Sequence, residues 1–366
     1  MIEKEIKSWL RFSHMELTAR IEQEIFTRFS YDLNEFLSLS QNALNELDFL
    51  TPKMLERYNY WKSQDVSIDL KQIEKLSVLL MPINHPNYPK ILKTIYDPPS
   101  LLYIRGNFDI DEDDSSLGIV GSRSASVYGM STIEQISSEL SRYGIKIVSG
   151  GARGIDTAAH KGALKSYGIT YVFLGCGVDV CYPSENKILF DSIISNGGAI
   201  ISEYPIGSQP EPWRFPARNR LISGISNGVL VCQAPLSSGS LITANYALEQ
   251  GRDVFAIPGN VNDRRNSGSN KLIKEGAALI ETATDVLCAL GINLNSNKEV
   301  TRELAEEVEL NDIERKIYNL LTLEPQTIDH LVSLTLMSVS EISATLTILE
   351  LKGCVKRQAG NAFIRL

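Results

Sequence analysis

Residues 117–156 read LGIVGSRSASVYGMSTIEQISSELSRYGIKIVSGGARGID, and they contain one structural pattern twice. A short, β-branched apolar run is followed by a glycine-rich turn and then by the start of an amphipathic stretch. Continuous apolar runs of this length are typical of strands that are covered on both faces. Their alternation with amphipathic stretches indicates parallel strands that are joined by helices.

The same pattern continues through the middle of the chain. Seven runs qualify as strands: LGIV (117–120), IKIVSG (145–150), TYVFLG (170–175), AIIS (199–202), GVLVCQ (228–233), DVFAIPG (253–259) and AALIE (277–281). Amphipathic stretches of helical length separate them. The sequence therefore predicts an α/β fold with a doubly wound, mainly parallel, Rossmann-like sheet.

Glycine marks the places where the chain changes character. None of the 25 glycines lies in residues 1–105, and 23 of them lie between 106 and 291. Apolar residues in the first part recur three and four apart, which predicts helices, and a proline-rich connector follows. The last part reads as three helices and two strands around a Gly-Asn turn, which is a winged-helix pattern. We predict an N-terminal all-helical domain of the SAM or helix-hairpin-helix type (1–75), a Rossmann-like domain (76–295), an acidic linker (296–310) and a C-terminal winged-helix domain (311–366).

The composition is that of a globular protein, with 43% hydrophobic and 22% charged residues among 366. No apolar stretch approaches the roughly 20 residues that a membrane helix needs, and the start of the chain is unlike a signal peptide. We therefore expect no membrane span. Five cysteines and four histidines without metal-ligand spacing predict neither a disulfide framework nor a zinc site. These features favour a reduced, cytoplasmic protein.

The net charge of −8 is unevenly distributed along the chain. Residues 117–292 contain 15 Lys and Arg against 14 Asp and Glu, a net charge of +1, so the remaining segments carry −9. Whole-chain charge therefore does not exclude a nucleic-acid ligand, because the positions of the arginines in the middle segment decide the local potential.

Two glycine-rich turns follow candidate strands and open helices. In an open parallel sheet, ligands bind beyond the carboxyl ends of the strands. Glycine allows close approach of a ligand, the helix start offers free N–H groups to an anion, and arginine suits phosphate. The alternatives are a plain tight turn in the first case and structural capping by Asp156 in the second. The candidate binding residues in these turns are Gly121, Ser122, Arg123, Gly151 and Arg153.

Two further stretches combine positive charge, aromatic rings and small hydroxyl residues. WRFPARNR (213–220) has three arginines and two aromatic residues, a mixture that suits single-stranded nucleic acid. SSGS (237–240) precedes another helix and could hold phosphate oxygens or only cap the helix. Tyr182 with nearby Lys187 offers either a stacking surface or a simple turn. The candidate residues here are Lys187, Arg218, Asn219, Arg220, Ser238, Gly239 and Ser240.

We predict that Arg123, Arg218 and Arg220 line one groove, because both of their loops open on the carboxyl edge of the sheet. The alternative for Trp213 and Phe215 is packing in the core. His160 is better explained as a packed or solvated side chain than as a ligand.

Common catalytic and nucleotide-binding patterns are absent from the sequence. There is no G-x-x-x-x-G-K-[ST] motif, and Gly175-Cys176-Gly177 lacks the third glycine of a dinucleotide fingerprint. No Ser-His-Asp set falls on strand-end loops in a convincing order. We predict no catalytic residue, no metal and no cofactor.

Together these residues resemble the DNA-processing protein A (DprA, or Smf) family of bacterial transformation. The motifs occur in family order: YP..L..I.D.PP.LY..G (88–106), GSR (121–123), SGGARGID (149–156), YP (182–183), SEYP (202–205), FPARNRLISG (215–224), SGSLITA (238–244) and ALEQGRDVFAIPG (247–259). Two positions depart from the pattern. Gln233-Ala234 stands where Glu-Ala is expected, and Ser184 occupies a position that is often basic.

The resemblance implies binding and protection of incoming single-stranded DNA, loading of the RecA recombinase, and a homodimer through the Rossmann-like domain. It assigns DNA binding to Arg123 and to the basic residues of FPARNR. An enzyme that hydrolyses nucleoside monophosphates is the alternative, although residues 238–244 replace the P-G-G-x-G-T-x-x-E motif of such enzymes. A duplex-DNA regulator acting through the tail is less favoured, because the presumed recognition helix has little positive charge.

Overall fold

The computed structural model describes residues 3–111, 114–292, 311–321, 326–335, 337–352, 354–358 and 362–365. The chain forms two compact units, Met1–Val300 and Thr301–Leu366. The predicted linker (296–310) and the Gly-Asn turn of the tail lie outside the described residues.

In the described residues of the first unit, nine strands form one sheet. They are β1 (Leu79–Pro82), β2 (Leu101–Gly106), β3 (Ser116–Gly121), β4 (Lys146–Ser149), β5 (Thr170–Phe173), β6 (Ala199–Ser202), β7 (Gly228–Cys232), β8 (Asp253–Ala256) and β9 (Ala278–Leu279). Their order is β1-β2-β6-β5-β4-β3-β7-β8-β9. Strands β3 to β9 pair in parallel, whereas β2 is antiparallel to both β1 and β6. All seven predicted strands are present, and the doubly wound, mainly parallel sheet is confirmed.

Fourteen helices accompany this sheet in the described part of the first unit. They are α1 (Glu3–Ser13), α2 (Ala19–Phe29), α3 (Leu33–Leu37), α4 (Gln41–Asn45), α5 (Pro52–Trp61), α6 (Ser67–Lys75), α7 (Lys90–Lys93), α8 (Val127–Arg142), α9 (Ile155–Lys165), α10 (Lys187–Ser195), α11 (Arg214–Gly224), α12 (Gly239–Glu249), α13 (Ser267–Lys274) and α14 (Ala283–Ala289).

Helices cover both faces of the parallel sheet. Leu117 and Ile119 of β3 belong to a core with residues of α8, α9 and α14, whereas Val120 belongs to a core with residues of α11 and α12. This alternation follows from the two-residue period of a strand. Each fully buried Leu or Ile side chain contributes about 1.5–3 kcal/mol relative to exposure, so both layers of helices hold the sheet.

The strand order reverses beside β3. The chain runs from β3 through β4 and β5 to β6 and then returns to the other side of β3 to form β7. The loops after β3 and β7 therefore diverge to opposite faces of the sheet. In folds of this type the resulting crevice at the carboxyl ends of the strands is where ligands bind.

The first six helices pack directly on the antiparallel edge of the sheet. Their core contains Phe12, Phe36 and Tyr58, and it also includes Leu101 and Tyr103 of β2. The hydroxyl of Tyr103 lies 2.8 Å from that of Ser13. The predicted helices of residues 1–75 thus share one compact unit with the sheet, and the domain boundary at residue 75 stays a prediction.

The second unit has a winged-helix architecture, as predicted. It comprises α15 (Asp312–Leu320), α16 (Ile328–Thr335) and α17 (Val339–Leu351), with a sheet of β10 (Gln326–Thr327), β11 (Val355–Gln358) and β12 (Ala362–Arg365) in the order β10-β12-β11. Ser338 and Glu341 form the predicted capping box at the start of α17.

Within the described ranges, no single helix has the length and apolar character to cross a membrane. One pair of helices in these ranges is long and apolar enough when the two are counted together, but the pair is bent by 114°: Ile328–Thr335 and Val339–Glu350.

Candidate nucleic-acid interface

A cavity of about 430 Å³ lies at the point where the strand order reverses. We call it the switch-point pocket. Its wall combines the loop after β3, the start of α9, the first turns of α11 and the start of α12. The lining includes Gly121, Ser122, Arg123, Ala152, Asp156, Tyr182, Phe215, Arg218, Asn219, Ser238, Gly239, Ser240 and Thr243.

The turn after β3 brings backbone and one arginine to this pocket. A side chain at Gly121 would collide with the carbonyl oxygen of Cys232 and with Ile155, so only glycine fits between β7 and α9. Arg123 is exposed, and its guanidinium lies 5.4 Å from the centre of the Phe215 ring. Arg123 has no ion pair with any described residue, which leaves its charge available to a ligand.

Arg218 lines the pocket but is committed to the protein. Its side chain is buried and donates hydrogen bonds to the carbonyl oxygens of Gly150, at 2.8 Å, and of Phe173. Burial lowers the pKa of the Arg218 guanidinium, and the nearby Asp156 carboxylate opposes that shift. Arg218 therefore connects α11 to the ends of β4 and β5.

Arg220 does not reach the switch-point pocket. It is buried on another side of α11, with Nη1 and Nη2 at 2.6 and 2.7 Å from the Glu203 carboxylate and Nε at 2.8 Å from Asp97. Burial favours loss of the proton, but the two carboxylates outweigh this effect and raise the pKa of Arg220. The prediction that Arg123, Arg218 and Arg220 share one groove is wrong for Arg220, because an ion-pair network turns it away.

The second glycine-rich turn packs against the first. Gly154 has a φ of +76°, and a side chain there would collide with the backbone of Ser122 and Arg123. Gly151 packs against Val172 and Phe190 rather than lining the pocket. These contacts fix the position of the turn that carries Arg123.

Two predicted basic residues lie outside the pocket lining. Arg153 is exposed and pairs with Glu185, with Nη2 at 2.7 Å from Oε2. Lys187 is also exposed and pairs with Asp191 at 2.7 Å, one helical turn further along α10. Surface pairs of this kind contribute little to stability, so both side chains remain accessible to phosphate.

The start of α12 contributes hydroxyl groups to the pocket. The Ser238 side chain caps the helix by accepting from the backbone N–H of Ser240 at 3.3 Å. Asn219 donates to the carbonyl oxygen of Gly239 at 3.3 Å, which links α11 to this turn. Ser238, Gly239 and Ser240 thus meet Arg123 across one cavity, as an anion site at a helix N-terminus requires.

One functional candidate was missed in the sequence. Thr243 lines the pocket, and its fully buried hydroxyl has no hydrogen-bond partner in the described structure. Thr243 lies one helical turn after Ser240, and this spacing was the available signal.

Aromatic rings divide between the two sides of α11. Tyr182 and Phe215 have centroids 5.3 Å apart and both line the switch-point pocket. Trp213 is 55% exposed and lies beside Tyr204 on the other side. Phe215 is therefore a stacking candidate for a ligand in this pocket, and Trp213 is not.

The titratable side chains of Asp156 and His160, near the pocket, make hydrogen bonds within the protein. Burial raises the pKa of Asp156, against the effect of Arg218 and of the N–H that Ala152 donates to it. Burial lowers the pKa of His160 to about 3, so its ring is neutral at pH 7, with Nδ1 2.7 Å from the Thr170 hydroxyl. Across the described residues, no group of three or more His, Cys, Asp or Glu side chains is placed to hold a metal ion.

The fold and pocket define a Rossmann-like protein with an arginine-lined crevice at its topological switch point and an additional winged-helix unit. The chain belongs to the DNA processing protein A (DprA/Smf) family. Residues 79–291 match the family described as DNA recombination-mediator protein A, and residues 302–361 match the DprA winged helix domain.

Individual relatives agree with this assignment. Protein Smf of Synechocystis is 34% identical over 356 residues, covering 88% of this chain and 89% of its own. DNA processing protein DprA of Streptococcus pneumoniae is 43% identical over 233 residues, covering 64% of this chain and 80% of its own. The X-ray structure of the Streptococcus pneumoniae protein matches with a TM-score of 0.65 and 38% identity, covering 76% of this chain and 95% of that one.

A second solved relative was studied for its ligand. DNA processing protein A from Helicobacter pylori, whose structure concerns its single-stranded DNA binding mode, matches with a TM-score of 0.51 and 31% identity. The match covers 58% of this chain and 95% of that one.

Proposed function

We propose that this chain binds single-stranded DNA at the switch-point pocket and acts in natural transformation and recombination. Arg123 carries the proposal, because it is exposed, lies at the pocket wall and forms no ion pair with another described residue. A phosphate can meet its guanidinium and the start of α12, while bases stack on Tyr182 or Phe215. The ligand of the Helicobacter pylori relative supports the same ligand class.

The expected partners follow from the family. We propose protection of incoming DNA, loading of RecA on it, and a homodimer formed by the Rossmann-like domain, all in the cytoplasm. Light scattering on the full chain tests the dimer, since a monomer at tens of micromolar would contradict it. Filament formation by RecA on strands covered by a single-strand-binding protein tests loading, which should be faster when this chain is present.

The enzyme alternative has less support from the pocket. Asp156 is the one carboxyl in its described lining, and it accepts an N–H from Ala152 beside the Arg218 guanidinium. General acid–base cleavage of a glycosidic bond needs a group that can exchange a proton with the substrate, and the Asp156 carboxyl group is already held by the Ala152 N–H. Incubation with nucleoside monophosphates tests this alternative, because release of free base by the pure protein would favour it.

The DNA-binding proposal is tested with Arg123→Ala and the matched control Arg142→Ala, which removes an exposed arginine from the far end of α8. We expect Arg123→Ala to weaken binding of a mixed-sequence single strand about ten-fold, because a charge-assisted phosphate contact is lost. The slope of log K against log salt should flatten by about 0.7, the value for one phosphate on a single strand. The loss should be similar for different sequences, because phosphate contacts carry no sequence information.

The control should leave both affinity and slope unchanged. If Arg123→Ala behaves like Arg142→Ala in a folded protein, the DNA does not bind at this pocket.

A further inference from the structure

A second cavity, of about 580 Å³, lies between the turn that joins α1 to α2 and the opposite side of α11. Its apolar wall consists of prolines 98, 99 and 205 together with Tyr204 and Trp213. It is separate from the switch-point pocket, because the described linings share no residue. Nothing in the DNA-binding proposal uses it.

One carboxyl group of this cavity has no cation beside it. Four carboxyl groups and two arginines are in the described lining, and Arg214, just outside it, pairs with Glu16 at 3.5 Å. Arg220 is held by Glu203 and Asp97, and Arg57 donates to the carbonyl oxygens of Met15 and Glu16, each at 3.0 Å. Both cations are therefore already committed to the protein.

Glu22 is left without a cation. It is partly buried on α2 and forms no ion pair within 4.0 Å with any described residue. Ser100, Glu203 and Arg220 line the same cavity. The ionised form of this partly buried carboxyl group would have no counter-charge, so an incoming cation would stabilise that form.

The aromatic wall already holds one cation. The Arg214 guanidinium lies 4.7 Å from the Tyr204 ring centre and 5.1 Å from that of Trp213. Rings of this kind attract ammonium and guanidinium groups, and the prolines beside them suit a methylene chain. An inorganic cation would gain nothing from these apolar walls.

We propose that this cavity binds an alkylammonium group, from a free polyamine or from a lysine side chain, with its cation against Glu22 and its methylene chain along the proline and aromatic wall. The titratable and charged groups that line the cavity with Glu22 are Glu16, Arg57, Asp97, Glu203, Tyr204 and Arg220, together with the Ser100 hydroxyl. Burial raises the pKa of Glu22 to about 8, and Glu203 adds to this effect against Ser100 and Arg220. Binding of a cation at pH 7 therefore ionises Glu22 and releases a proton.

Calorimetric titration of the full chain with spermidine tests the proposal without DNA. We expect saturable binding, with a heat that differs between buffers of different ionisation enthalpy because a proton is released. Glu22→Gln should weaken binding at least about ten-fold and remove the buffer dependence. The matched control is Glu24→Gln, an exposed position on the same helix, which should change neither.

A parallel titration with the peptide acetyl-Gly-Lys-Gly-amide separates the two sources. Saturation by spermidine at the lower concentration identifies a free polyamine, and saturation by the peptide at the lower concentration identifies a lysine side chain. The proposal is overturned if neither ligand saturates, if magnesium ions compete equally well, or if Glu22→Gln binds as tightly as the parent. None of these results bears on DNA binding, so the two proposals can fail independently.

Discussion

Arg218 and Arg123 line the same pocket and are predicted to differ in what they stabilise. Removing the buried Arg218 side chain leaves the carbonyl oxygens of Gly150 and Phe173 without their donor. We expect Arg218→Ala to lower the free energy of unfolding by about 3 kcal/mol, and Arg123→Ala to change it by less than about 0.5 kcal/mol. Urea denaturation measures both variants. If Arg218→Ala lowers the free energy of unfolding by as little as Arg123→Ala does, the Arg218 contacts do not hold α11 to the strand ends.

Glu22 is predicted to make stability depend on pH. Its pKa is raised to about 8 in the folded chain, against 4.5 for the free side chain. Between these values the folded state holds a proton that the unfolded state has lost, so stability is full below pH 4.5 and falls as pH rises toward 8. A difference of about 3.5 pKa units corresponds to nearly 5 kcal/mol, and solvent screening of the partly exposed carboxyl group reduces this. The neutral variant Glu22→Gln should therefore gain on the order of 2–5 kcal/mol over the parent at pH 8.5 and little at pH 4.5.

Urea denaturation at these two pH values measures the difference, with Glu24→Gln as the control. A gain that is the same at both values would mean that Glu22 is not protonated in the folded chain.

At the scale of elements, the parallel strands could be predicted because each is a continuous apolar run. Strand β2 could not be predicted, because LLYIRG follows a proline-rich stretch and ends in a glycine, and this composition is typical of a connector. The turn at Arg123 followed from local glycine and helix-start signals. The position of Arg220 was predicted wrongly because its partners, Glu203 and Asp97, come from other segments of the chain. The local sequence does not show whether Arg218 or Arg220 will pair with them.

Gln233 shows a second limit at this scale. Its side chain accepts from the backbone N–H of Ser126 and donates to the Ser126 hydroxyl, both at 2.8 Å, so it holds the N-cap of α8. In the sequence it was only a departure from the family's Glu-Ala. A carboxylate could accept from both groups, which explains how either residue fits here.

The buried hydroxyl of Thr243 in α12 is predicted to contribute to DNA binding and not to stability. The Thr243 hydroxyl is buried and has no hydrogen-bond partner among the described residues, so the isosteric Thr243→Val should leave stability unchanged or raise it by up to about 1 kcal/mol. The same change should weaken single-stranded DNA about three-fold, because a phosphate loses a donor. Ser137→Ala is the control, since the buried Ser137 hydroxyl in α8 also has no partner in the part of the chain that the structure describes, and Ser137 does not line the pocket. Thermal unfolding and strand binding of both variants measure the effect, and equal binding by both would exclude Thr243 from the site.

At the scale of the whole molecule, the net charge differs between the middle segment of the chain and its flanks. The segment 117–292 carries +1 and contains the switch-point pocket, whereas the flanking segments together carry −9. Acidic flanks repel a nucleic-acid backbone, so the arginines of the middle segment define the favourable path for a strand.

The winged-helix unit is predicted to be dispensable for binding single strands. At the ends of α17, Glu341 caps the helix start, and Lys352 pairs with Glu314 at 2.7 Å, so this helix offers little free positive charge. Deletion of 301–366, at the boundary between the two compact units, should leave affinity for a single strand within about three-fold of the full chain. Arg123→Ala in the shortened chain should then cost as much as in the full chain, because the pocket lies wholly in the first unit. A loss of about 100-fold on deletion, or about 2.7 kcal/mol, would instead place part of the DNA-binding surface on the tail.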